Sequence, residues 1–247
     1  MHRRLDREHI LVFIPGLADT WESYLALAAE LPDTLGMVLV DPLGHGASTK
    51  RAGASGPGRQ AEALSAALDS LGVRPFAVVG HSNGGIIAQF YGNATPGLPA
   101  AVLIASGSGF GTHPAADDFR ALAASLPDTV PDEVLELQRD SFRGPVPDSI
   151  VQPYIDAARA TPGRVWREVI DSLLAFDTRV FLTGWRPRTL LVLAEEDAVI
   201  GDDGMIELAA AMPGADTVRI PGTSHGVHWQ RPDAVADAVM AFLATVE

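Results

Sequence analysis

The pentapeptide Gly80-His81-Ser82-Asn83-Gly84 joins an apolar run to a helical pattern and places a hydroxyl at the junction. It fits G-x-S-x-G, and it has the strand before and helix after that give this motif meaning. A serine there could simply cap the helix beside packing glycines. As a nucleophile it would need more. A hydroxyl is weakly nucleophilic near neutral pH, so it requires a base, and the base requires an orienting group. Two later strand ends offer them. The run TLLVLAEEDAVI passes into Glu195, Glu196 and Asp197, and VRIPGTSHGVHW passes into His225. Serine, acid and histidine in that chain order could carry out acyl transfer.

These groups must be held by a scaffold, and the pattern around them describes one. Short apolar runs at Ile10–Ile14, 37–41, 76–80, 101–105, 189–193 and 217–220 read as strands covered on both faces. Helical spacing fills 21–31, 58–71, 82–91, 202–212 and 233–246 between them. Such alternation predicts a parallel sheet with right-handed crossovers, whose ligands gather at the carboxyl ends of the strands. The rhythm breaks once. Between about 114 and 186 only helical segments occur, at 117–125, 132–139, 148–159 and 164–175. They are punctuated by Pro127, Pro131, Pro145, Pro147, Pro153 and Pro162. The expected division is a core of 1–112 and 187–247 with a helical cap of 113–186 inserted after the fourth strand.

Composition narrows the partners. The 247 residues are 47% hydrophobic, enough for a large buried core, and 18 basic against 31 acidic residues give a formal net charge of −13. That charge disfavours nucleic acid and anionic membranes. With no cysteine there are no disulfides or thiolate metal sites. The apolar run at Ile10–Ile14 is too short for a signal sequence or membrane span. The expectation is a soluble, cytoplasmic protein with a small-molecule substrate, its oligomeric state open.

Over nearly its whole length the chain resembles the α/β-hydrolase superfamily. The resemblance is carried by IPGLADTWESY, DPLGHGAS, GHSNGG, LVLAEEDAVI and IPGTSHGVHWQRPDAVADAVMAFL. It implies Ser82 as nucleophile, His225 as general base and then acid, and Asp197 rather than Glu195 or Glu196 as the orienting carboxylate. It also implies an oxyanion hole from the backbone N–H groups of Leu17 and Asn83, each such donor typically worth ~3 kcal/mol in the transition state. Pro15-Gly16 stands where the family usually has His-Gly, Leu43 where arginine is common, and Ser224 where glycine usually precedes the histidine. Only nine residues precede Ile10, so the family's N-terminal hairpin is expected to be absent or badly truncated, leaving an about six-stranded, all-parallel sheet with 37–41 at its edge.

Weaker signals are weighed against that frame. His225 and His228 have an i, i+3 spacing but no acidic or thiol partner, so no metal is expected. SGSGFGT lacks the third glycine of a dinucleotide loop, so no NAD or FAD is expected, and no other cofactor. His45 and His81 read as hydrogen-bonded structural residues, and Asp41 as a strand terminator. Phe110, Trp166, Trp185, His228 and Trp229 are candidates to line a pocket under the cap. The expected activity is cofactor-independent hydrolysis of an ester, thioester or lactone. The same triad also serves carbon–carbon bond hydrolysis or perhydrolysis, and a slow ligand-binding or signalling protein could keep it too.

Overall fold

In the run Ile10–Ile14, successive side chains enter opposite cores. Val12 and Ile14 pack on one face of a sheet, Leu11 and Phe13 on the other, and all five residues are buried. This two-sided burial is why the strand reads as continuously apolar rather than alternating. The structure is a computed structural model that describes residues 2–142 and 146–246. Pro145 lies outside them.

Among the described residues, seven strands form the sheet: β1 (His2–Arg4), β2 (Ile10–Ile14), β3 (Gly36–Leu39), β4 (Ala77–His81), β5 (Ala100–Ile104), β6 (Arg188–Ala194) and β7 (Asp216–Ile220). Their order is β1-β3-β2-β4-β5-β6-β7. The six strands from β2 to β7 are parallel, as the alternation of strand and helix predicts. The edge is not where the sequence placed it. His2–Arg4 turns back and pairs antiparallel with β3, His2 opposite Leu39 and Arg4 opposite Met37. An unpaired β3 would expose a row of backbone donors and acceptors. Three residues suffice to cover it, and being His-Arg-Arg they carry no apolar signal. Arg4 and Arg7 anchor the turn on Asp33, through its carboxylate and its carbonyl at 2.5 and 2.7 Å.

After β2 comes a 3₁₀ turn at Trp21–Tyr24 and the short α1 (Leu25–Glu30); α2 (Pro57–Ser70) follows β3 and α3 (Asn83–Ala94) follows β4. Among the described residues, five helices then fall between β5 and β6: α4 (Ala116–Ser125), α5 (Asp132–Asp140), α6 (Asp148–Ala160), α7 (Gly163–Ala175) and α8 (Arg179–Leu182). The chain closes with α9 (Gly201–Ala211), α10 (Val227–Gln230) and α11 (Pro232–Leu243). Leu64 and Leu68 of α2, Ile86 and Ile87 of α3, and Met205 and Leu208 of α9 cover one face of the sheet. Leu27 of α1 and Val235, Val239 and Phe242 of α11 cover the other.

The helices between β5 and β6 build a third core. Leu135, Val151, Tyr154, Ile155 and Trp166 pack with Trp229 of α10 and Ala18 from the loop after β2. Pro153 sits inside α6 rather than ending a helix. Among the described residues no helix is long and apolar enough to cross a membrane.

Candidate active site

Ser82 leaves β4 with φ 52° and ψ −122°, in a region that a residue bearing a Cβ rarely occupies. Such a conformation costs about 1–3 kcal/mol and survives only where its surroundings fix it. Here they do. The Ser82 N–H donates to Ile104 O on β5 at 2.9 Å, while its carbonyl accepts from Ser106 Oγ and the Gly85 N–H, both at 2.9 Å. The glycines two before and two after the serine are sterically required. A Cβ at Gly80 would lie 2.3 Å from Gly84 O, and one at Gly84 would lie 2.0 Å from Ile14 O. Strand and helix approach so closely that nothing larger fits.

The histidine and the carboxylate come from the two loops that the sequence singled out. His225 Nδ1 lies 3.1 and 3.0 Å from Asp197 Oδ1 and Oδ2. Asp197 Oδ1 also accepts the backbone N–H groups of Val199 and Ile200, at 2.9 and 3.0 Å. Burial of Asp197 pushes its carboxyl upward. The histidine's charge and hydrogen bond, with the two N–H groups, outweigh that, so the pKa falls below the ordinary carboxylate value. Asp197 is therefore ionised and fixes the Nδ1–H tautomer of His225, leaving Nε2 as the free nitrogen. Glu195 and Glu196 are exposed, and Glu195 instead accepts the Gly222 N–H at 2.8 Å.

A second histidine ties these parts together. His81, one residue before the serine, donates from Nε2 to the backbone carbonyl of His225 at 2.8 Å. Its burial, and the neighbouring His225, lower its pKa to about 3, so the ring is neutral and remains a donor. His228 is wholly buried beneath, its ring 4.3 Å from that of His81 and 5.2 Å from that of Tyr24. His45 is also buried and neutral but elsewhere, donating from Nδ1 to Leu43 O at 3.0 Å. Asp41 follows β3 as expected, and its carboxylate accepts the N–H groups of Trp21 and Ala47, both at 3.0 Å.

Ser82 and His225 line one cavity of about 80 Å³, together with Leu17 and Asn83. Gly16 lies against the serine so closely that a Cβ there would stand 3.3 Å from Ser82 Cβ. Asn83 opens α3, and the first N–H groups of a helix have no partner within it. Pro15-Gly16 thus takes the place of His-Gly without opening a gap beside the serine.

Of the five aromatic candidates, Phe110 faces this cavity and the others do not. Trp166 is 2% exposed in the core of the inserted helices. Trp185 packs on Gly92 of α3 and donates its indole N–H to Thr189 Oγ1 at 2.7 Å. His228 and Trp229 lie behind the wall, the Trp229 ring tilted against that of Phe142 at 4.5 Å and edge-on to that of Tyr154 at 4.9 Å. The real lining includes residues that sequence reasoning passed over: Phe119, Gln138, Phe142, Tyr154, Leu173 and Asp19. Most belong to the inserted helices, whose facing sides have no motif. Asp19 had a signal, an acidic residue three positions after the glycine of the Pro15-Gly16 turn.

A family model described as the alpha/beta hydrolase family matches residues 11–238. The sn-1-specific diacylglycerol lipase of Mus musculus is 25% identical over 248 residues, covering 95% of this chain and 80% of that protein. A hydrolase from Pseudomonas aeruginosa PA01 superposes with a TM-score of 0.85 at 23% identity, covering 98% of this chain and 94% of that one. The enol-lactonase from Burkholderia xenovorans LB400 also reaches 0.85, at 19% identity over 98% and 96% of the two chains. At such identities these two structures establish a shared fold.

Proposed function

Because this chain belongs to the alpha/beta hydrolase family, we propose that it is a cofactor-independent serine hydrolase cleaving a carboxylic ester, thioester or lactone. The observation that carries this reading is the Asp197–His225 pair, bonded through Nδ1, whose histidine lines the cavity that also receives Ser82 from its strained turn. The relatives named as a lipase and an enol-lactonase support the same bond class. In domain terms, we assign 1–112 and 187–247 to the catalytic core and 113–186 to a cap above it.

In this mechanism Ser82 Oγ attacks the carbonyl carbon while His225 Nε2 takes its proton. The backbone N–H groups of Leu17 and Asn83 receive the charge that develops on the carbonyl oxygen. Collapse of the tetrahedral species breaks the bond to the leaving alcohol or thiol, which takes the proton from His225 and leaves an acyl-serine. Water, deprotonated by the same Nε2, then cleaves the acyl-serine and restores the hydroxyl. Asp197 stays ionised throughout and stabilises the imidazolium. A cavity of about 80 Å³ is far below the 300–1,000 Å³ typical of pockets for drug-sized ligands, which favours a short acyl group.

The test is Ser82→Ala assayed on a short p-nitrophenyl ester, alongside fluorophosphonate labelling of the parent followed by intact-mass analysis. Turnover is expected to vanish with the fold retained, and the label to add once, at Ser82. Undiminished turnover in the folded variant would refute the assignment.

A further inference from the structure

One carboxyl group in the cavity has no part in this mechanism. Asp19, in the loop after β2, is 2% exposed and lines the cavity that receives Ser82 and His225. Its Oδ1 accepts the Thr20 N–H at 2.7 Å, while Oδ2 is buried without a hydrogen-bond partner among the described residues. Among the described residues that line the cavity there is no lysine or arginine. The charges of Asp41 and Glu22 add repulsion, while the Ser23 hydroxyl and the Thr20 N–H oppose it. Burial dominates, and the carboxyl is pushed up to about 7.

Holding the turn at Thr20 does not explain this residue. That contact uses one oxygen, and a serine or asparagine could supply it without burying an ionisable group. Asp197, behind His225, shows how a buried carboxylate is satisfied when its role is internal: both of its oxygens are engaged. Asp19 differs because its second oxygen accepts no hydrogen bond from the described residues. Beside it the wall carries neutral polar groups from the inserted helices, Ser141, Gln138 and Tyr154, with Gln138 donating its amide N–H to the Tyr154 hydroxyl oxygen.

We propose that Asp19 Oδ2 is the recognition point for a hydroxyl group on the substrate, so that the preferred substrates are hydroxylated esters. This deepens the serine-hydrolase reading and rests on it. A hydroxyl fits better than an ammonium for two reasons. It can donate to a carboxylate or accept from a protonated carboxyl, so the bond survives either state of Asp19. It also loses far less hydration than a cation on entering a cavity lined largely by apolar side chains.

The experiment compares kcat/KM on matched short esters: butyrate against 3-hydroxybutyrate on the acyl side, propyl against glyceryl on the alcohol side. A 3-aminobutyrate ester tests a cation. The parent enzyme is expected to prefer one hydroxylated member over its deoxy match by about ten- to a hundred-fold, the usual effect of stranding a buried hydrogen-bonding group. In Asp19→Ser, which keeps a turn contact but lacks the second oxygen, the ratio should fall to about two-fold or less. Should that variant fail to fold, Asp19→Asn carries the test, with at least about a five-fold drop in the ratio expected.

Ratios near one for both hydroxyl positions in the parent overturn the proposal. So does a ratio that persists in the variant, or a stronger preference for the amine. Failure of the underlying reading has a different signature: hydrolysis surviving Ser82→Ala and no label on Ser82, whatever the ratios.

Discussion

The unpaired carboxyl of Asp19 should make stability depend on pH in a direction that its isostere abolishes. In the unfolded chain the group titrates near 3.8, and in the fold near 7. The folded state therefore binds the proton more tightly, and stability falls as pH rises between those values. At 1.36 kcal/mol per tenfold change, the full loss is about 4 kcal/mol above pH 7, and the part already lost at pH 5 is under about 2 kcal/mol. Asp19→Asn keeps the oxygen that meets the Thr20 N–H and cannot ionise. It should therefore be more stable than the parent at pH 8, with an advantage that shrinks by about 2–3 kcal/mol on going to pH 5.

The buried histidines act in the opposite sense. His45, lowered to about 4, and His81, lowered to about 3, contribute stability that is present above pH 6.5 and lost as the medium turns acid. They affect parent and variant equally and cancel in the difference. Urea unfolding of both proteins at several pH values between 5 and 8, followed by tryptophan fluorescence, measures that difference directly. A gap that is constant with pH, or that widens toward acid, would refute the reasoning.

Two further outcomes follow from the geometry. Asp197→Asn should keep the fold but lose the ionised partner that sets the His225 tautomer, lowering kcat by about 10⁴-fold in a steady-state ester assay; an effect under tenfold would remove Asp197 from the proposed role. Gly84→Ala places a methyl 2.0 Å from Ile14 O. Unlike a crowded side chain, a backbone carbonyl within a sheet cannot step aside, so a loss of about 3 kcal/mol or more is expected in chemical denaturation, and a soluble variant of parental stability would contradict the close approach of strand and helix.

The parts of this molecule that could be read in advance are those where sequence and backbone geometry constrain each other. Strands β2 to β6 announce themselves because both faces are buried, although β7, read the same way, is buried only at Ile220, and the serine turn because Gly80 and Gly84 can be nothing else. Asp197 could be separated from its glutamate neighbours only by resemblance, since what distinguishes it is the hydrogen-bonding of a loop. Strand β1 was illegible for the opposite reason: its pairing is made by backbone alone, and His-Arg-Arg advertises nothing. Four of the five aromatic candidates proved to lie off the cavity, because large apolar side chains announce burial without saying which side of a wall they occupy. The polar residues that do face it, Asp19 and Gln138 among them, depend on how the inserted helices meet the loop after β2. No local spacing records that meeting.

The bond from His81 to the carbonyl of residue 225 has a mechanical meaning. It clamps the segment bearing the Ser82 hydroxyl to the segment bearing the His225 imidazole, so thermal drift carries the two along as one rigid jaw. If the proposed hydrolysis holds, whatever yielding admits a substrate or releases an acid must then come from the opposing jaw of inserted helices, whose grip on the core can loosen without spoiling the alignment of the two side chains.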